Sequence, residues 1–147
     1  MSSAKLVPEL LVSDHATSRD FYVRVIGFQV RYERLAEKFS YLDLDGAALM
    51  IEQETDFWVT APREKPYGRG INLQIEVDAI DPIDPILSRI EQAGIALFRP
   101  VEEAWYRSNE TYSGNRQFLV QDPDGYLLRM FQDLGQQAAP SGGRVVG

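Results

Sequence analysis

Cysteine is absent from the 147 residues and histidine occurs once. The first absence removes disulfides, thiolate metal sites and cysteine nucleophiles together. With His15 as the sole imidazole and no Gly-x-Ser-x-Gly segment, neither a Ser-His-Asp nor a Cys-His nucleophile system can be assembled. No run approaches the roughly 18 apolar residues of a membrane span, and the N-terminus lacks the basic-then-apolar layout of a secretory signal. A cytoplasmic protein with no membrane partner is therefore expected. A net charge of −7 with no Lys/Arg cluster argues against nucleic acid, because phosphate neutralisation supplies most of such affinity. Gly68-Arg-Gly70 lacks phosphate-loop spacing and precedes a strand pattern rather than a helix.

What is present is a chain that repeats itself. Hydrophobic residues at 44% and charged residues at 25% fit an ordinary globular core. Gln117 to Gln132 reads as two apolar strands joined by Asp122-Pro-Asp-Gly125, where proline presets φ and glycine accepts a positive one. Phe39 to Glu52 has the same form, with Asp45-Gly46 at its turn. Upstream of each lies a strand and a helix: Leu6 to Asp14 then His15 to Ile26, and Asn72 to Asp78 then Pro85 to Ala93. Val12 and Val77 correspond at an offset of 77 − 12 = 65, and the two Asp-Gly turns at 124 − 45 = 79, so the second repeat carries extra residues. Ala79 to Asp84 and Arg99 to Asn115 are the two places for that extra loop.

Helix limits follow from caps and spacing. Asp14 and Asp84 are the expected N-caps, Pro85 the first helical residue of the second helix, and Gly27 and Gly94 the stops. Strand alternation sends Leu10, Val12, Leu49, Ile51, Leu73, Ile75, Val77, Leu128 and Met130 to one face, which the helices cover. The opposite face carries Val7, Glu9, Leu11, Met50, Glu52, Asn72, Gln74, Glu76, Leu127, Arg129 and Phe131, a mixture too polar for a dry core. The expected fold class is α+β: two βαβββ repeats forming a curved, cleft-enclosing mixed sheet with helices on the outer face. One domain over residues 1–135 is expected, with repeats at about 5–55 and 70–133. Residues 136–147, with Pro140-Ser-Gly-Gly143, read as a flexible end.

The paired βαβββ units, Val12-Ser-Asp14 followed by Arg19-Asp-Phe-Tyr22 and Gly27-Phe28, and the Asp122-Pro-Asp-Gly125 hairpin resemble the vicinal oxygen chelate superfamily over about Leu6 to Gln132. That family includes glyoxalase I, extradiol dioxygenases, fosfomycin-modifying enzymes and bleomycin resistance proteins. The fold hosts several chemistries, so function rests on the site. In metal-dependent members, the inner positions of the first and last strands of each repeat hold His or Glu. The resemblance places Val7, Met50, Asn72 and Arg129 there, none a credible ligand for a divalent ion.

With Arg129 in its closing hairpin, the chain looks most like the metal-free bleomycin resistance proteins, homodimers that sequester an antibiotic in grooves at the subunit interface. The resemblance implies a homodimer without a cofactor, binding a partly aromatic, cationic molecule of the bleomycin type. Glu9, Tyr41, Met50, Glu52, Phe57, Trp58, Asn72, Gln74, Trp105, Tyr106, Tyr112, Phe118 and Arg129 are the candidate ligand-binding residues. Glu76, Glu102 and Glu103 are further candidate anions, since a cationic aromatic ligand asks for aromatic walls and negative charge. The same residues admit plainer roles. Phe57-Trp58 and Trp105-Tyr106 either anchor loops and an interface or touch ligand, Tyr41 and Phe118 are equally suited to the core, and Tyr112 to Asn115 is either a lid or a turn. Arg129 either pairs with Glu9, Glu52 or Glu76 or binds a ligand carboxylate or carbonyl, and His15 reads as a surface or capping residue. The alternative functions are a metal-dependent lyase, dioxygenase or thiol transferase, with Glu9, Glu52 and Glu76 as an improvised carboxylate site, and a dimeric regulatory module without ligand.

Overall fold

The computed structural model describes residues 4–78 and 83–147. They fall into two compact units, one of Met1–Ile71 with Asp122–Tyr126 and one of Asn72–Gln121 with Leu127–Gly147. The first unit runs β1 (Glu9–Val12), α1 (His15–Asp20), a π-helical turn (Phe21–Ile26), β2 (Gln29–Arg34), β3 (Phe39–Leu44) and β4 (Ala47–Gln53). The second runs β5 (Asn72–Glu76), α2 (Asp84–Gln92), β6 (Arg99–Ser108), β7 (Thr111–Gln121), β8 (Leu127–Gln137) and β9 (Arg144–Val146). The class is α+β, built on two mixed sheets of order β1-β4-β3-β2 and β5-β8-β7-β6-β9.

The repeat is written into the strand register. Parallel β1 and β4 set Glu9 beside Met50, and parallel β5 and β8 set Gln74 beside Arg129. The offsets are 74 − 9 = 65 and 129 − 50 = 79, the two values given by the sequence. On the apolar face Leu10, Val12, Leu49, Ile51, Ile75, Val77, Leu128 and Met130 are buried, and Leu73 is half-buried. Leu11 departs from the mixed-face expectation, being 1% exposed.

Asp14 caps α1 as its position suggests: extended at φ −143°, it accepts hydrogen bonds from Ala16 N and Thr17 Oγ1. The helix does not remain α-helical to Ile26. Its last six residues widen into a π turn, with Tyr22 O accepting from both Gly27 N and Phe28 N, before Gly27 stops it at φ 110°. In α2 the cap position is Ile83, and Asp84 is the first helical residue rather than the cap. Its carboxylate accepts from Arg116 Nη2 at 2.9 Å, so it serves the positive helix end by charge while facing a neighbouring strand.

Of the two regions considered for the inserted residues, Ala79 to Pro82 lie outside the described residues. Arg99 to Asn115 is strand, not loop: β6 and β7 form a long antiparallel hairpin, and Tyr112 to Asn115 lie on β7 rather than in a lid. Trp105 lies opposite Gly114, where a built Cβ would fall 2.4 Å from the indole Cζ3. The flat ring occupies the space a side chain would need. Residues 136–147, expected as a flexible end, contain strand: β8 reaches Gln137, and β9 pairs in parallel with β6, setting Arg144 beside Ala104 and Val146 beside Tyr106.

The Asp122–Tyr126 turn completes the first unit. Asp122 Oδ1 accepts from Asp124 N and Tyr126 N, closing the turn, while its Oδ2 accepts from the Tyr22 hydroxyl at 2.6 Å. Ser13 donates both its N–H and its hydroxyl to Asp124, and the Tyr126 hydroxyl donates to Leu11 O at 2.9 Å. Burial raises Asp122 above the ordinary carboxyl value, against the pull of the Tyr22 and backbone hydrogen bonds, and pushes Tyr126 up to about 12. The Arg19-Asp-Phe-Tyr22, Val12-Ser-Asp14 and Asp-Pro-Asp-Gly segments thus form one hydrogen-bonded assembly.

Two substitutions test this packing. Tyr22→Phe keeps the ring but strips a buried acidic side chain of a donor, and should lower unfolding free energy by about 1.5–3 kcal/mol in urea titrations. Gly114→Ala drives a methyl into the Trp105 ring and should cost about 1–3 kcal/mol, read as a fall in Tm, whereas Gly142→Ala meets open space and should be near neutral.

Candidate functional site

The open face of the second sheet brings together side chains from β6, β7 and β8. Register aligns Glu102 with Gln117, Gln117 with Phe131, and Leu119 with both Arg99 and Arg129. At the centre, Arg129 Nε and Nη2 both donate to Gln117 Oε1, at 3.1 and 3.0 Å. Arg129 Nη2 also donates to Tyr106 Oη at 2.6 Å, with the guanidinium carbon 5.1 Å from the Tyr106 ring centroid. Gln117 Nε2 donates to Tyr106 Oη at 2.7 Å and to Glu102 Oε1 at 3.1 Å. Arg144, from β9, donates to Glu102 and to Tyr106 Oη. The hydrogen-bonded Arg144 guanidinium holds Glu102 below the ordinary carboxylate range.

Two hollows share Tyr106 and Arg129. One, of about 410 Å³, is walled by Phe98, Arg99, Glu102, Leu119 and Arg144 among others. The other, of about 480 Å³, adds Gln74, Ser113, Asn115, Phe131 and Asp133. The first sets apolar Phe98, Pro100 and Leu119 beside fixed charged and amide groups, the mixed make-up of a small-molecule site.

Within its own unit Arg129 has Gln117 and Tyr106 as partners, and no carboxylate of that unit lies within ion-pair distance of it among the described residues. Trp105 and Phe118 face the core, 5% and 0% exposed, because they alternate with Tyr106 and Gln117 along their strands. Tyr112 lies beside Arg107 on the Trp105 side of the sheet. Asn72 is exposed beside Leu127, and Gln74 lies beside Arg129. Glu102 is the one candidate anion drawn into the network. Arg99, Gln117, Leu119 and Arg144 were not among the candidates. Alternation along β7 could have supplied Gln117 and Leu119, but nothing in Pro140 to Gly147 marks a strand that returns an arginine.

The first unit collects Tyr41, Met50, Glu9 and Glu52 on its own open face. Met50 lies between Glu9 and Tyr41 in register, Glu52 lies between Leu11 and Phe39, and Tyr41 stacks on Tyr32 at 5.1 Å and 17°. Burial, then the nearby Glu52 charge, raises Glu9 above the ordinary carboxylate value. Phe57 and Trp58 follow β4 in a loop, 92% and 40% exposed. Of the positions where the resemblance expects metal ligands, valine offers no donor, methionine a soft thioether, asparagine one carbonyl, and arginine a cation. Among the described residues no three of His, Asp and Glu gather as a metal-ligand set. No helix among them is long and apolar enough to cross a membrane.

His15 is not a surface residue. It is 5% exposed, its N–H donates to Gln53 Oε1, and its Nε2 lies 2.8 Å from Ser40 Oγ. That hydroxyl donates to Glu33, which also receives Arg19 bidentately, so the serine proton is committed to a carboxylate and is not activated by the imidazole.

The family described as the Glyoxalase/Bleomycin resistance protein/Dioxygenase superfamily matches residues 6–130. This chain belongs to that superfamily. Among solved structures it is similar to TioX from Micromonospora sp. ML1, at 25% identity and TM-score 0.62, over 91% of this chain and all of the other. A virulence protein from Salmonella typhimurium shares 24% identity at TM-score 0.60, over 90% and 98%. A glyoxalase/bleomycin resistance protein/dioxygenase from Alicyclobacillus acidocaldarius shares 19% at TM-score 0.61, over 91% and 96%. The last two show the fold alone. Among curated proteins none matches.

His15 makes stability depend on pH. Burial, the dominant cause, holds its folded value below the ordinary 6.5 despite Glu33 nearby. The unfolded chain therefore takes up the proton first, so its contribution is complete above that value and is lost as pH falls through the depressed one. The urea midpoint of His15→Gln should fall less than that of the parent protein between about pH 7 and pH 5.

Proposed function

We propose that this protein binds a small molecule without transforming it, as a homodimer and without a metal, in the manner of the bleomycin resistance proteins. The observation that carries the reading is Arg129, which occupies a position where the resemblance expects a metal ligand and is fastened there by Gln117 and Tyr106. A guanidinium repels a dication, and its anchors are a neutral amide and a phenol rather than chelating groups. The bleomycin-type ligand belongs to this proposal: the aromatic and acidic first-unit face of Tyr32, Tyr41, Glu9 and Glu52 supports a cationic aromatic partner.

The enzyme reading retains one observation, the electrostatic coupling of Glu9 and Glu52, because a pair of neighbouring carboxylates can hold a cation. Elemental analysis of protein purified without chelators should return well below one metal per chain. Near-stoichiometric metal that is lost in Glu9→Gln or Glu52→Gln would favour the enzyme. Calorimetric titration with bleomycin-family compounds should show saturable binding with the compound recovered unchanged, and light scattering should give the mass of a dimer. Silence up to millimolar compound would remove that ligand.

A further inference from the structure

The cradle around Arg129 holds more hydrogen-bond donors than acceptors. Arg129 spends Nε and Nη2 on Gln117 and Tyr106, and both N–H groups of Nη1 have no partner among the described residues. Tyr106 Oη faces N–H groups from Arg129, Gln117 and Arg144, three donors for an oxygen with two lone pairs. Glu102, the one carboxylate in the wall, is already engaged by Arg144 and Gln117. Arg99 adds a third guanidinium, 4.9 Å from the Phe98 ring centroid. Three cations against one anion line this hollow, opposite in sign to the chain's net −7.

A half-buried guanidinium with only neutral partners has lost hydration without gaining a counter-ion. A ligand anion restores that balance, and a carboxylate suits it because one oxygen can accept from Nη1 while the second is left for Arg99. The wall also has an apolar part: Phe98, 45% exposed, and Pro100, Leu119 and the Tyr106 ring line the same hollow. Such surfaces take a flat ring.

We propose that the hollow bounded by Arg129, Arg99, Arg144, Tyr106, Phe98 and Leu119 is a binding site for aromatic carboxylates. It rests on the capture function above and names a ligand class for the second unit. The carboxylate sits on the Nη1 edge of Arg129 within reach of Arg99, the ring lies on Phe98 and Leu119, and Gln117 with Tyr106 hold the arginine in place.

Calorimetry on the full chain with 2-naphthoate, 2-naphthamide and 2-naphthylmethylammonium tests the proposal. Naphthoate should bind at least about tenfold more tightly than the other two, and Arg129→Gln, checked for folding by circular dichroism, should abolish that preference. If Arg129→Gln does not fold, Arg99→Gln at the exposed rim should weaken naphthoate about threefold and leave the amide unchanged. No naphthoate binding, equal or tighter binding of the ammonium compound, or indifference to both substitutions would overturn it. Bleomycin binding without naphthoate binding removes this ligand class and leaves capture standing. Metal-dependent conversion of bound naphthoate removes capture and leaves the site standing.

Discussion

In each unit the first strand of the repeat closes the sheet by pairing in parallel with the last, and most other features follow from that closure. A parallel pair cannot be joined by a tight turn, so the helix and two intervening strands must be traversed between its members. The closure also fixes register, and a slip of one residue would exchange the two faces of the strand. With Leu10 beside Ile51 and Ile75 beside Met130, the apolar side chains are committed to the core. Glu9 beside Met50 and Gln74 beside Arg129 are thereby committed to the open face. The chemistry on that face is a by-product of satisfying the other.

The repeat, its offsets and the sheet faces were legible because they depend on alternation and on turn residues, both local properties. The Asp14 cap and the Gly27 stop were legible for the same reason. The π turn was not, since Phe21, Tyr22, Val25 and Ile26 carry the same apolar pairs whether the backbone winds at four or five residues per hydrogen bond. Asp84 misled because a carboxylate before a proline suits a cap, yet the helix begins at Asp84 itself and its carboxylate meets Arg116 of β7. Trp105 and Tyr106 read as loop aromatics because comparing the repeats makes their segment an insertion, and insertions ordinarily fall in loops. Once they lie on a strand, adjacent residues must part, one to the core and one to the hollow.

The site was half legible for a related reason. Arg129 could be found from the hairpin, but its company could not, because glutamates are the obvious partners for an arginine and the structure supplies an amide and a phenol. Gln117 Oε1 accepts on the same guanidinium edge that a carboxylate would grip, and so orients the cation without neutralising it. A glutamate there would have made a closed ion pair and left little for a ligand to recognise.

The first unit is discontinuous in sequence, with Asp122–Tyr126 arriving after an excursion of fifty residues through Asn72–Gln121. The internal duplication is therefore one of pattern and not of self-sufficiency. A fragment ending near residue 71 would retain Ser13, Tyr22 and the Leu11 carbonyl yet lose Asp124, Asp122 and Tyr126, their partners on the turn. In place of that turn, such a fragment would need two carboxylate acceptors and a hydroxyl donor supplied from outside itself.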